Sequence, residues 1–231
     1  AEGRKMFLEA PREQLQEVYV SESFLEKCSC REHLEEVGYE VVSDSVFSKI
    51  SDTCTPQGVL CVLKQFHYNI EEMLRDKAPL FLLLENIQDP GNLGTMLRTG
   101  EGAGVSGIIM SRDTVDLYNP KVIRSTMGSI YRVPFYYADD FAAAVHQVQQ
   151  AGVSVYAAHL RGKNSYACQD YTKGTAFLIG NEGNGLREET AELADCYIRI
   201  PMEGKVESLN AAVASSILMY EAHRQRATIE K

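Results

Sequence analysis

Between residues 79 and 231, short apolar runs take turns with helical patterns, and this alternation constrains the fold more than any other feature. Strand-like runs lie at 80–85, 107–110, 134–137, 153–157, 176–180 and 197–200, and helical spacing occupies 92–103, 119–126, 139–151, 187–194 and 208–225. A run such as Phe177-Leu178-Ile179 is the signature of a strand buried in a core. Strands alternating with helices predict an α/β fold, a mostly parallel sheet with helices on both faces. Ligands of such sheets bind beyond the carboxyl ends of the strands, so the loops after 84, 157, 180 and 200 should gather there.

A smaller α/β unit precedes it over residues 1–68. Segments 17–21 and 39–43 are rich in β-formers, 58–63 reads as a buried strand, and SFLEKCSCREHLEEVG shows helical spacing with Gly38 as its stop. Residues 69–78 are polar and charged and are expected to form a helical linker ahead of Pro79, leaving 79–231 as the second unit.

Charge and cysteine usage narrow the function classes. The formal net charge is −9, which argues mildly against a nucleic-acid role, although local fields decide binding. Local basic groups occur at Arg4-Lys5, Arg98, Arg124, Arg132, Arg161, Lys163 and Lys205. Six scattered cysteines and five unclustered histidines offer no metal-ligand spacing, and Cys28-Ser29-Cys30 is too short for a zinc knuckle. No metal is expected, and reduced thiols fit a cytoplasmic protein. No apolar run approaches the length of a membrane span. The opening AEGRKMFLEA carries no initiator Met, as expected where the native start lies further upstream.

Gly102-Ala103-Gly104-Val105-Ser106-Gly107 matches a dinucleotide-binding string but has a helix before it and a strand after it, the reverse of what a phosphate site needs. Those glycines are expected to end a helix. Three other stretches carry chemistry. In ENIQDPGNLGTMLRTGEGAG a buried strand leads into a turn, with Asn92 expected to cap a helix that carries Arg98. In LIGNEGNGL, Asn181 and Glu182 stand at a strand exit where folding alone asks for neither. In IPMEGKVESLNAAVASSILMYE, Ser208 is expected to open a long helix. Leu209, Ala212, Val213, Ser216, Ile217 and Tyr220 form its core stripe, with Ser208 and Asn210 facing the mouth of the sheet.

In order and wording these three stretches resemble the motifs of the SpoU-type RNA ribose 2′-O-methyltransferases of the SPOUT superfamily, across the whole second unit. The first unit resembles the small substrate-binding domain, similar to certain ribosomal proteins, that precedes the catalytic domain in many members. One departure is SLNAAVA where members often have SLNVSVA, a change at Ala211 and Ala212 in the packing face of the helix that is not expected to touch the chemistry. The resemblance implies a C-terminal trefoil knot, an exception to the rule that chains do not thread loops, preceded by a small α/β RNA-binding domain. It implies S-adenosylmethionine as cofactor, with Gly180, Ile200 and Leu209 in contact and Ala158, His159, Leu160, Asn181, Met202 and Ser208 close by. A side chain at Gly180 is expected to crowd that cofactor while the fold survives. Glu182 and Asn92 are expected on the acceptor side with Ser208 and Asn210, and Arg98 is the candidate catalytic residue. Arginine stays protonated in proteins and is a poor base. Arg98 is therefore expected to grip a phosphate and stabilise the developing alkoxide, with that phosphate or Glu182 taking the proton.

The implied partners are ribosomal RNA in preference to transfer RNA, and a second copy of the chain. The homodimer contact is expected on helix 208–225, through Ala211, Ala214 and Ser215. The alternative readings are a catalytically inactive SPOUT-fold RNA-binding or ribosome-assembly factor, and an α/β small-molecule enzyme sharing only the alternation.

Overall fold

The amino-terminal β-formers pair into a three-stranded sheet with its own small core. In the computed structural model, which describes residues 1–229, a short helix α1 (Arg4–Glu9) precedes β1 (Leu15–Ser21). Strands β2 (Glu40–Val42) and β3 (Val59–Leu63) flank β1, the first parallel to it and the second antiparallel. The helical stretch after β1 is not continuous: α2 (Glu22–Lys27) and α3 (Arg31–Val37) stand either side of Cys28-Ser29-Cys30. Cys28 leaves α2 in extended backbone, and its Sγ lies 2.7 Å from that of Cys30, both as free thiols. Helix α4 (Asp44–Ile50) starts from Ser43, whose hydroxyl accepts from the Val46 amide. Phe7, Val18, Val20, Leu34 and Val59 fill the space between these elements.

The stretch 69–78 holds a single helical turn, α5 (Ile70–Met73), rather than a full helix. Ile70 and Met73 are buried against Phe81 and Leu83, so packing on the next sheet fixes this segment.

Seven strands follow: β4 (Leu80–Leu84), β5 (Gly107–Ser111), β6 (Phe135–Ala138), β7 (Ser154–Ala158), β8 (Asn164–Ser165), β9 (Thr175–Ile179) and β10 (Cys196–Arg199). They form one sheet in the order β6-β5-β4-β9-β7-β10-β8, with every neighbouring pair parallel. Between them run α6 (Pro90–Ala103), α7 (Pro120–Thr126), α8 (Phe141–Gln150) and α9 (Glu188–Ala191), and α10 (Ala211–Ile229) closes the chain. Successive residues of β4 serve opposite faces. Leu80, Leu82 and Leu84 pack with Leu93 and Met96 of α6 and Leu218 and Met219 of α10, while Phe81 and Leu83 pack with Val145 and Val148 of α8. Each such buried side chain contributes about 1.5–3 kcal/mol, which explains why these runs are apolar throughout. The glycine-rich stretch after α6 ends that helix as expected: Gly104 is left-handed (φ 77°), and the Val105 amide donates to the Gly100 carbonyl at 2.9 Å.

Two late strands enter between earlier ones, β9 between β4 and β7 and β10 between β7 and β8. The carboxyl ends of β4, β9, β7 and β10 therefore stand side by side, which assembles the site. Helix α10 presents a different face from the one its periodicity suggests. Among its described residues Ala211, Ala212, Ser215, Leu218, Met219 and Ala222 are buried, whereas Val213 and Tyr220 of the expected core stripe are 48% and 49% exposed. Close packing on α6, where the Ser216 hydroxyl donates to Thr99 at 3.3 Å, takes the small residues inward. Ala211 and Ser215 are thus committed within the chain rather than open to a partner.

Candidate active site

Loops from three adjacent strands and the segment leading into α10 enclose a cavity of ≈ 260 Å³ at the carboxyl edge of the sheet. Ala158, His159 and Leu160 follow β7, Gly180, Asn181 and Glu182 follow β9, and Ile200 and Met202 follow β10. Ser208 and Leu209 complete the rim, and Ile179, Leu186, Ile198 and Ala214 supply apolar walls. All nine residues expected around the cofactor line this one cavity. Asn92, Arg98 and Asn210 do not line it.

The loop after β9 is shaped by its own backbone. A Cβ on Gly180 would lie 2.2 Å from the Leu186 nitrogen and 2.3 Å from the Gly185 carbonyl carbon, so the chain folds back where only hydrogen fits. The expectation that a side chain here would crowd a ligand and spare the fold is therefore corrected: it would strike the protein's own main chain first. Asn181 closes the turn. Its amide and carbonyl pair with Gly185 at 3.1 and 2.9 Å, and its side-chain oxygen accepts from the Gly183 and Asn184 amides at 2.9 and 3.0 Å. Its Nδ2 donates to the Asn86 carbonyl at 2.8 Å, tying the loop to the end of β4.

Glu182 then reaches the start of α6. One carboxylate oxygen accepts from the Asp89 amide and Asn92 Nδ2, both at 3.0 Å, and the other accepts from the Gln88 amide at 3.1 Å. Burial raises the pKa of this carboxyl, but the hydrogen bonds from Asn92, Asp89 and Gln88 together outweigh it and hold the group below its ordinary value. Glu182 is thus a saturated, ionised acceptor at neutral pH, a poor place to deliver a proton. Asn92 is not the helix cap: Asp89 is, accepting from the Asn92 amide at 2.7 Å with Pro90 in the first turn. That frees the Asn92 side chain to bridge, its Nδ2 to Glu182 and its Oδ1 accepting from Asn210 Nδ2 at 2.9 Å. Asn210 in turn caps α10 through the Ala212 and Val213 amides at 2.9 and 3.2 Å, so the helix opens there and not at Ser208. Ser208 is exposed on the cavity rim.

Arg98 is exposed on α6 and makes no ion pair or side-chain hydrogen bond among the described residues. Several other local cations are engaged: Arg124 with Asp52, Arg132 with Glu9 and Glu101, and Arg161 with Glu188. Six residues of helix separate Asn92 from Arg98, about 9 Å along the axis, and long helical side chains lean back toward the amino terminus. The guanidinium is without a protein partner among the described residues.

Residues 79–220 match the profile of the SpoU rRNA Methylase family. The chain belongs to that family. It is 35% identical over 78% of its length to a 23S rRNA (guanosine(2553)-2′-O)-methyltransferase of Bacillus subtilis, covering 70% of that protein. It is 32% identical over 93% of its length to a 23S rRNA (guanosine-2′-O-)-methyltransferase of Bordetella pertussis, covering 91%. Among solved structures, an AdoMet-bound rRNA methyltransferase of Sinorhizobium meliloti aligns with a TM-score of 0.81 at 31% identity, over 97% of this chain and 86% of that one. The SpoU methyltransferase AviRb of Streptomyces viridochromogenes, in complex with AdoMet, aligns with a TM-score of 0.88 at 26% identity, over 99% and 90% of the two chains.

Around this cavity stand residues that sequence reasoning passed over. Glu85, 2% exposed at the end of β4, accepts from the Arg187 amide at 2.8 Å and from the Thr190 hydroxyl. Arg187 also pairs with Asp113, linking the loops after β9 and β5. A carboxylate directly after a wholly apolar strand was the available signal, the same one that drew attention to Glu182. His159 has its pKa lowered by burial and by the nearby Arg161, so the ring beside the cavity is neutral at pH 7. Among the described residues no group of three or more His, Cys, Asp or Glu side chains could hold a metal ion, and no helix is long and apolar enough to cross a membrane.

Proposed function

We propose that the chain transfers the methyl group of S-adenosylmethionine to a ribose 2′-hydroxyl of structured RNA, with ribosomal RNA favoured over transfer RNA. One observation carries this reading. The loops after β7, β9 and β10 and the start of α10 converge on a single cavity, and hydrogen bonds from Asn92 to Glu182 and from Asn210 to Asn92 tie its rim to the start of α6. The names of the relatives point to the same chemistry and to ribosomal RNA.

The cavity suits the cofactor: Ile179, Ile198 and Leu186 give an apolar bed for a purine, and the tight turn at Gly180 and the segment at Ile200 border it. When bound, that cofactor supplies a methyl carbon already made electrophilic by its sulfonium. The protein's work is then positioning and charge stabilisation. We assign Gly180, Ile200 and Leu209 to holding the cofactor, with Ala158, His159, Leu160, Asn181, Met202 and Ser208 around it. Arg98 grips the target phosphate and stabilises negative charge growing on the 2′-oxygen. Glu182 and Asn92 set the start of α6, which carries Arg98, and Asn210 sets α10 against it. With Glu182 saturated by donors, the phosphate beside Arg98 relays the hydroxyl proton to solvent as the new O–C bond forms.

Residues 1–68 form the RNA-binding part, 69–78 the connection and 79–231 the catalytic part, in which insertion of β9 and β10 supports the trefoil knot. The homodimer contact falls on the outer face of α10, where Val213 and Tyr220 are exposed. Ala214 lines the cavity and is unsuited to a partner contact. Free thiols at all six cysteines support a cytoplasmic setting. The test is transfer of tritium from methyl-labelled S-adenosylmethionine to deproteinised ribosomal RNA. Label in RNA from the wild-type protein supports the reading, and cofactor binding without transfer to any RNA supports the inactive binding factor.

A further inference from the structure

A second cavity, ≈ 490 Å³, lies in the amino-terminal unit, apart from the methyl-transfer site. It opens between the end of β1, helices α2 and α4, and the loop before β3. Its volume falls within the range of roughly 300–1,000 Å³ typical of small-ligand sites.

Its walls combine three chemistries. Phe24, half-buried, gives aromatic surface, and Phe47, fully buried, backs the wall behind it. Arg4 and Lys27 give positive charge, and neither makes an ion pair among the described residues; the Arg4 guanidinium donates to the Ser29 hydroxyl at 2.5 Å, and its backbone amide donates to Gln57 Oε1 at 2.8 Å. Ser23, Ser48, Gln57 and Asp44 give hydrogen-bonding groups. One Asp44 oxygen accepts from the Ser23 hydroxyl at 2.6 Å, and the other has no partner among the described residues. The wall is built with little slack. Gly58 is left-handed (φ +81°), and a Cβ there would lie 2.5 Å from Phe24 Cβ, so the loop lies directly against α2.

We propose that this cavity binds one unstacked nucleotide of the RNA substrate. Aromatic surface stacks on any base, and single-stranded bases are the parts of RNA that proteins read by stacking and edge contacts. Arg4 and Lys27 meet the phosphate, which accounts for two unpaired cations on a chain of net charge −9. The free Asp44 oxygen accepts from a base donor, which guanine presents on its Watson–Crick edge. The inference rests on the RNA reading above but concerns a different site.

The probe is guanosine 5′-monophosphate, titrated by ligand-observed NMR into the full chain, with phosphoserine as a control. Saturable binding is expected for the nucleotide and not for phosphoserine. Ser48→Trp, which fills the mouth from the exposed face of α4, and Lys27→Glu should each weaken it about tenfold or more. Lys27→Glu should also lower the salt dependence of RNA binding by about one ion. S-adenosylmethionine binding should stay within twofold in both, and thermal melts check that each variant is folded. Absence of saturable binding, equal binding by both folded variants, or equal binding of phosphoserine overturns the proposal. Failure of the methyltransferase reading looks different: the wild-type protein then transfers no label, whatever the NMR titration gives.

Discussion

Replacing Gly180 by alanine tests the site where backbone packing and ligand binding meet. The added Cβ would sit 2.2 Å from the Leu186 nitrogen and 2.5 Å from the Gly185 oxygen, far inside contact distance and against main chain that no rotamer change can move. The loop 181–186 must shift outward, and overpacking of this kind costs about 1–3 kcal/mol. For a chain of this size, roughly 3 °C of melting temperature goes with each kcal/mol, so Gly180→Ala should melt about 3–9 °C below wild type. The same shift displaces Asn181 and Glu182, and 1.4 kcal/mol of misplacement weakens binding about tenfold. Gly185→Ala is the control. Its Cβ would meet nothing within 4 Å, and only its left-handed φ of 70° is penalised, by about 1 kcal/mol. Scanning calorimetry and titration calorimetry with S-adenosylmethionine measure both effects. A Gly180→Ala protein that melts with wild type and binds the cofactor equally would show that the loop after β9 has room for a side chain at this position.

Glu182→Gln should loosen the start of α6, because an amide nitrogen would replace an acceptor facing backbone donors; the expected sign is a lower melting temperature and a higher KM for RNA, read by calorimetry and steady-state rates. Because the folded Glu182 carboxyl has a depressed pKa, its stabilisation is complete above the ordinary glutamate value near 4.3 and is lost as pH falls through the folded value, so the stability gap between wild type and Glu182→Gln should close in acid. Arg98→Ala should lower single-turnover methyl transfer by a hundredfold or more, on the order of 3 kcal/mol, while cofactor affinity stays within a few-fold; unchanged turnover would remove Arg98 from the mechanism. Val213→Glu places a charge on the exposed face of α10 and should give folded monomers by light scattering, and a wild-type protein that is itself monomeric and active would exclude the dimer.

Much of the cavity was legible because its residues sit at strand exits, and strand exits are marked by apolar runs ending in glycine or proline. Gly180 after Ile179 and Pro201 after Ile200 are local signals. The side-chain bridges were not, since Asn92 and Glu182 stand 90 positions apart and Asn92 and Asn210 stand 118 apart. A cap is a local motif with competing candidates: Asp89 and Asn92 both suit the start of α6, and the contact with Glu182 decides which side chain is free. Helix α10 misled for a related reason. It has two overlapping stripes, Ala212-Ser215-Met219 and Val213-Ile217-Tyr220, and only the neighbouring α6 selects the smaller one for burial. Strand β8 has two residues and no apolar pattern, so pairing with β10 alone defines it.

The most direct test of the account is the position of the transferred methyl group. Ribosomal RNA labelled by the wild-type protein with tritiated S-adenosylmethionine is hydrolysed in alkali, which cleaves only beside a free 2′-hydroxyl. The label is expected in alkali-resistant dinucleotides, and Arg98→Ala is expected to leave that fraction empty. Label recovered in mononucleotides would place the methyl on a base and contradict transfer to the ribose.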